Sequence, residues 1–245
     1  MSNGINVVDK ALQILVAFDA NVSDLTVGHI AEKLGIHKST ASRLTTTLVA
    51  RGFLTRQKRA LRLGPQVSRL GLLALDNSSL IGISRRPMEW LAEKTGETVH
   101  LAVLEDNEAL NIAHVNGRAI VATSNFLGRR TKLHCAAAGK TLLAFSDKAQ
   151  IIEPLQAVTE KTITDSRVLQ SELRQVKVRG WAVNLCELEM GLHTVAVPVF
   201  DGSQRCVAAL SVDGPSYRIP PSRCPELAAL CKQAARAISL HLGSN

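Results

Sequence analysis

The sequence predicts an α+β fold in two parts. A winged helix-turn-helix covers residues 1–65, a linker helix 66–82, and a larger α+β domain 83–245. Three observations predict this. Three short stretches of helical period are followed by a basic hairpin. A later run of strands has helices at both ends. The chain has 245 residues, 46 % hydrophobic, enough for two buried cores. Aromatics are only 3 %, so those cores are built of Val, Leu, Ile and Ala.

In the first part, Val8, Ala11, Leu12, Leu15 and Val16 fall on one helical face. Thr26 is a good N-cap for a second helix that turns Ile30, Ala31 and Leu34 inward. Gly35 stands where a left-handed residue ends that helix. A third helix runs from Lys38 to Ala50, with Ala41, Leu44 and Leu48 inward and Ser39, Ser42, Arg43 and Thr46 outward. Gly52 breaks the chain. Phe53 to Arg56 and Ala60 to Leu63 are extended around the basic turn Gln57 to Arg59, with Leu61 and Leu63 alternating with Arg62. From Gln66 to Leu80, Val67, Leu70, Leu73 and Ala74 have helical spacing, and Asn77-Ser78-Ser79 marks the end.

In the second part, Arg85 to Glu93 reads as a helix. Glu97 to Leu104 and Ala109 to Val115 read as strands around the turn Glu105 to Glu108. A helix opens after Ala136-Ala137-Ala138-Gly139-Lys140. Further helices are expected at Lys148 to Ala157, Val168 to Arg179 and Cys224 to Leu242. Strands are expected at Ala182 to Leu185, Thr194 to Phe200 and Cys206 to Val212, mostly antiparallel.

The charge is the most uneven property of the chain. From Lys33 to Leu75 there are nine Lys or Arg and no Asp or Glu, while the net charge of the whole is +8. So the entire excess lies in one short stretch, which self-repulsion disfavours unless a polyanion binds there. In a helix-turn-helix the second helix of the pair enters the major groove. The outward face of Lys38 to Ala50 suits that task, since hydroxyls and helix N-terminal amides bind phosphate and Arg43 can reach a base edge. The competing reading is an ordinary solvated helix beside a charge run. The expected contacts to DNA are Lys38, Ser39, Thr40, Ser42, Arg43 and Thr46 on the helix, and Lys58, Arg59 and Arg62 on the wing.

Other classes are disfavoured. No apolar run reaches the roughly 18 residues of a membrane span. Met1 to Lys10 shows no secretory pattern, so a cytoplasmic protein with no membrane partner is expected. The five cysteines are scattered without a C-x-x-C, which fits reduced thiols. No histidine pair has metal-ligand spacing on a credible helix, so no metal and no cofactor is expected. His134 and Cys135 adjoin each other, but a Cys-His hydrolase needs nucleophile, base and orienter to converge. Packing is the plainer role for both, and the chain is not read as an enzyme. A nonspecific DNA-coating protein would not need the second domain.

The chain resembles the IclR-type bacterial transcriptional regulators over nearly its whole length. The N-terminal match is Val8-Asp9-Lys10-Ala11-Leu12-Gln13-Ile14-Leu15, then Gly35 to Leu44, Gly52-Phe53-Leu54 and Leu61-Arg62-Leu63-Gly64. The C-terminal match is Gly96 to Val103, Leu133 to Lys140, Arg179-Gly180-Trp181-Ala182-Val183-Asn184 and Ala209 to Pro215. Their order and spacing together are specific. The resemblance implies a GAF-like effector-binding domain. It implies a homodimer or homotetramer on a palindromic double-stranded operator, and a small-molecule effector that alters operator binding. The function expected is a ligand-responsive repressor of catabolic genes. The wing departs from the family: Gln57-Lys58-Arg59 replaces the usual acidic-Gly turn, and Leu61 a common Tyr.

Carried over residue by residue, the resemblance gives an effector site of Ala137, Ala138, Asn184, Thr194, Ser211 and Asp213. The family more often has Asp at the position of Asn184, Cys at Thr194 and Ser at Asp213. Small residues opening a helix expose amides that favour an anion; they also permit close helix packing. Asp213 would oppose a purely anionic effector unless paired or turned away, so an amine, amide or polyhydroxyl ligand is expected. Alternatively, Asp213 only caps the Asp213-Gly214-Pro215 turn.

Overall fold

The structure is a computed structural model, and it describes residues 6–18, 24–74, 80–118 and 126–243. The chain divides into two compact units, Met1–Ser79 and Leu80–Asn245.

The first unit contains α1 (Asn6–Val16), α2 (Val27–Lys33), α3 (Lys38–Ala50), β1 (Leu54–Gln57), β2 (Ala60–Leu63) and α4 (Pro65–Ala74). The expected start and stop signals operate. The Thr26 hydroxyl accepts the His29 N–H at 3.2 Å and caps α2. Gly35, at φ +61°, turns the chain into α3. Gln57 pairs with Ala60, so the wing turn has two residues, Lys58-Arg59, rather than the three expected. A third edge escaped the sequence reading: Leu25 and Leu61 exchange two backbone hydrogen bonds, 3.0 and 2.7 Å, which ties the wing to the segment before α2. Ile14, Leu25, Ile30, Ala41, Leu54 and Leu61 form the core.

Two expectations fail here. Leu63 is half-exposed rather than the inward partner of Leu61. On α1 the buried side chains are Ile14 and Ala17, whereas Val8, Leu12 and Val16 are 53, 56 and 78 % exposed. Asp9, Lys10 and Gln13 share one side of the helix and the apolar arc covers more than half of it, so the pattern alone does not say which part of that arc turns inward. Asn77-Ser78-Ser79, expected to end the linker helix, lie outside the described residues.

The second unit contains α5 (Leu80–Thr95), β3 (Thr98–Glu105), β4 (Glu108–Val115), β5 (Arg130–Lys132), α6 (Ala137–Phe145), α7 (Ser166–Arg179), β6 (Ala182–Leu185), β7 (Leu192–Phe200), β8 (Cys206–Pro215) and α8 (Cys224–His241). The strands form one antiparallel sheet in the order β5-β4-β3-β8-β7-β6. Asp106 and Asn107, both at positive φ, make the tight turn between β3 and β4. α5 and α8 pack together and against the sheet, and α6, with α7 packed on it, meets the same strands. Period-two alternation sorts the side chains. Val99 and Leu101 of β3, Val195, Val197 and Val199 of β7, and Leu210 and Val212 of β8 join the core built with α5 and α8. The residues between them face the other way. A short 3-10 turn, Leu133–Cys135, leads into α6, and a Cβ on Gly139 would lie 2.3 Å from the Leu133 carbonyl oxygen. Only glycine permits that approach.

The helix expected over Lys148 to Ala157 is absent; the segment is irregular. Pro154 lies inside it and has no N–H to donate. The strand β5 was not anticipated at all.

Candidate functional site

The first candidate site is the outer face of α3 and the wing. Ser39, Ser42, Arg43 and Thr46 recur at helical spacing and are all exposed, with Lys38 beside them and Thr40 half-buried. His37 caps the helix: its Nδ1 accepts the Ser39 N–H at 3.3 Å and lies 2.7 Å from the Ser39 hydroxyl. Thr46 spends its hydroxyl proton on the Ser42 carbonyl at 2.8 Å, so its oxygen is left as an acceptor. Arg43, Lys38, Lys58 and Arg59 make no ion pair with any described residue. Arg62 differs. Its guanidinium forks onto Asp24, Nε to Oδ1 at 2.6 Å and Nη2 to Oδ2 at 2.9 Å. This basic residue is therefore already satisfied within the domain. Neutralising Lys58 or Arg59 should flatten the slope of log affinity against log salt by about one unit each, and Arg62→Gln by less. Filter binding over a salt series checks this; equal slopes for all three single variants would mean that Asp24 does not hold Arg62 off the DNA.

The second candidate site is built by register. Thr194 pairs with both Asn184 and Asp213, and Asp213 pairs also with Thr98, so a polar row crosses four strands. Ser211 is two residues from Asp213 and shares its face. The N-terminus of α6 approaches this row. The six expected residues, Ala137, Ala138, Asn184, Thr194, Ser211 and Asp213, all line one cavity of about 30 Å³, joined by Asn111, Phe126 and Thr131. That volume holds roughly two waters at rest.

Three details set its chemistry. First, α6 begins at Ala137 and no side chain caps it, so its first amides carry the positive end of the helix dipole unassisted. Second, Asn184 is fully buried and its Oδ1 accepts the backbone N–H groups of Glu187, 2.6 Å, and Leu188, 3.3 Å. Its Nδ2 has no partner, leaving two buried donors at the cavity. Third, Asp213 does not cap a solvent-facing turn. It is buried within β8 and accepts from His100 Nδ1 of β3 in a short hydrogen bond, with the Ser211 hydroxyl 3.4 Å away. The carboxylate expected to repel an anion is thus held by an imidazole.

Behind the cavity, Lys140 of α6 and Glu187 form a buried ion pair of 2.6 Å. Burial pushes the Glu187 carboxyl above the usual carboxylate range, and the Lys140 ammonium offsets part of that. The hydroxyls of Thr159 and Thr162 donate to the carbonyls of Cys186 and Glu187, both at 2.7 Å, and fix the loop that carries Leu188 to the cavity.

His100, Lys140 and Glu187 were missed by the sequence reading. The alternation of Thr98 and His100 with Val99 and Leu101 was a usable signal for His100; no local signal joins residues as far apart as Lys140 and Glu187. His134 and Cys135 do not pair. His134 Nε2 bonds the Gln156 carbonyl at 2.9 Å, and the Cys135 thiol lies 3.5 Å from the Lys132 carbonyl. Burial pushes that thiol up to about 11 and Cys206 up to about 12, so neither is a thiolate nucleophile near neutral pH. Among the described residues no cluster of His, Cys, Asp or Glu could hold a metal ion, and no helix is long and apolar enough to cross a membrane.

A winged helix-turn-helix with a cationic outer face, carried in one chain with an antiparallel-sheet domain that encloses a polar cavity, defines a ligand-responsive DNA-binding transcriptional regulator. Comparison with known proteins specifies the family. Residues 7–58 match the IclR helix-turn-helix domain, and residues 72–240 match the bacterial transcriptional regulator IclR C-terminal domain. The chain is 32 % identical to the HTH-type transcriptional regulator BhcR of Paracoccus denitrificans, over 97 % of this chain and 88 % of that one. It is 30 % identical to the transcriptional repressor IclR of Escherichia coli, over 96 % and 89 %. An IclR transcriptional regulator from Alicyclobacillus acidocaldarius superposes with a TM-score of 0.89 at 27 % identity, covering 98 % of this chain and all of that one. The chain belongs to the IclR family of bacterial transcriptional regulators.

Proposed function

We propose that the chain is a repressor of catabolic genes that binds a palindromic operator as a homodimer or homotetramer, and that a small organic acid in the α6 cavity changes its operator affinity. Residues 1–65 bind DNA, 66–82 link, and 83–245 sense. The observation that carries the effector reading is the Asn184 amide, whose buried Nδ2 lacks an acceptor and lies on the same cavity as the uncapped N-terminus of α6. Together they offer several donors to one anion. Asp213 Oδ2 is engaged by His100 of β3, so that oxygen is directed to a partner within the sheet and not left free for a ligand. A compact hydroxy- or keto-acid fits better than the amine or amide ligand that the sequence alone suggested. Its hydroxyl or carbonyl would take the remaining valences of Thr194 and Ser211. Operator affinity titrated against a panel of such acids tests this reading. An operator affinity unmoved by every acid, but shifted by a neutral or cationic metabolite, would refute it.

The exposed stripe Val8, Leu12 and Val16 on α1 supports self-association, since apolar residues in a row on a helix otherwise face water at a cost. Leu70 on α4 is likewise 45 % exposed. A two-fold partner covering these residues would pair two copies of α3, which a palindromic operator requires about 34 Å apart, one turn of duplex. Leu12→Asp and Leu70→Asp should each lower the mass seen by light scattering and weaken operator binding in parallel. A variant that stays oligomeric and binds normally would remove its helix from the seam.

A further inference from the structure

We propose a second ligand site in the C-terminal unit, for an aryl or branched-alkyl monocarboxylate, in the groove between α8 and the ends of α6 and β7. The groove is about 390 Å³ and is lined by Phe145, Val197, Phe200, Lys232, Arg236 and Ser239, with few other residues. Such a volume is within the usual range for small-molecule sites.

Each wall has a distinct chemistry. Phe145 and Phe200 meet edge to face, ring centroids 6.0 Å apart, and form an aromatic corner backed by the buried Val197. Lys232 and Arg236 are four residues apart on α8, so they stand one above the other on the same side. Lys232 directs Nζ to the Arg179 carbonyl at 2.6 Å, which steadies it and leaves its charge uncompensated. Arg236 is exposed and has no hydrogen-bond or ion-pair partner among the described residues. No Asp or Glu lines the groove. The Ser239 hydroxyl accepts the Phe200 N–H at 3.0 Å and keeps its own proton to donate.

Two cations, a hydroxyl donor and an aromatic wall match a ligand with one carboxylate and an apolar body. The planar fork of Arg236 suits a carboxylate in particular. A second copy of the chain is a poor occupant, because a two-fold contact would set the same two cations against themselves. The position is also informative. The proposed effector cavity lies at the N-terminal end of α6 and at Thr194 of β7; the groove lies at Phe145 and Phe200, the other ends of both elements. Nine helical residues put these ends about 13 Å apart.

The test uses the full chain and 2-naphthoate as the probe, titrated by calorimetry, with light scattering in parallel. Wild type should bind. Arg236→Glu, an exposed charge reversal that leaves the core untouched, should weaken binding by about tenfold or more. Ala138→Leu, which fills the other cavity, should leave naphthoate affinity unchanged. Three results overturn the proposal: no binding by wild type at millimolar probe, equal binding by Arg236→Glu, or loss confined to Ala138→Leu. A change of oligomeric mass in Arg236→Glu without probe would instead make the groove an interface between copies, and overturns it too.

Discussion

Asp213→Ser should lower the unfolding free energy of the C-terminal unit by about 1–3 kcal/mol. The side chain is buried, and its partner His100 is buried with it. The Nδ1 of His100 donates to the carboxylate, and its Nε2 already lacks a partner. Replacing Asp213 with serine removes that carboxylate, leaving the buried Nδ1–H unpaired beside an Nε2 that has no donor. An unpaired buried polar group costs more than the net worth of the bond it lost. Asp213→Asn should cost only about 1 kcal/mol, since its amide oxygen still accepts from Nδ1. Both tryptophans, Trp90 and Trp181, lie in the C-terminal unit, so urea unfolding followed by their fluorescence reports this unit alone. A serine variant within about 0.5 kcal/mol of wild type would show that the pair contributes no structural stability.

Arg43→Ala should cost about 1–3 kcal/mol on the operator and less on random duplex. Arg43 lies on the exposed face of α3 with Ser39, Ser42 and Thr46, and it has no ion pair among the described residues to compete for it. A guanidinium there can span the two acceptors on a guanine edge, which a phosphate contact would not reward with specificity. The control is Arg62, which the Asp24 fork already holds. Anisotropy on matched operator and scrambled duplexes reads the difference. Equal losses on both duplexes would reassign Arg43 to the phosphate backbone.

What was legible in the sequence is what local chemistry decides. The ends of α3 follow from the turn glycines Gly35 and Gly52, both at positive φ. The two-residue spacing of Ser211 and Asp213 put them on one face, while Thr194 and Asn184 came from the family resemblance; the structure sets all four on one cavity. Illegible features depend on register or on contacts distant in sequence. Asp213-Gly214-Pro215 has the composition of a turn, whereas β8 runs on to Pro215 and pairs Asp213 with Thr98 of β3. The Lys140–Glu187 pair and the Leu25–Leu61 bridge join segments with no shared local signal. The inward stripe of α1 was ambiguous because both of its stripes are apolar. The irregular segment from Lys148 to Ala157 has enough apolar residues to suggest a helix, and Pro154 is the feature that opposes one.

On the proposed function, a small acid in the α6 cavity sets the affinity for the operator. The most direct test is operator anisotropy titrated with hydroxy- and keto-acids, for wild type and for Ala138→Leu. At least one acid should shift wild-type operator affinity by about 5- to 150-fold. Ala138→Leu should bind operator as wild type does without ligand and then fail to respond. If Ala138→Leu responds to the same acid with an unaltered midpoint, the effector binds elsewhere and the claim is wrong.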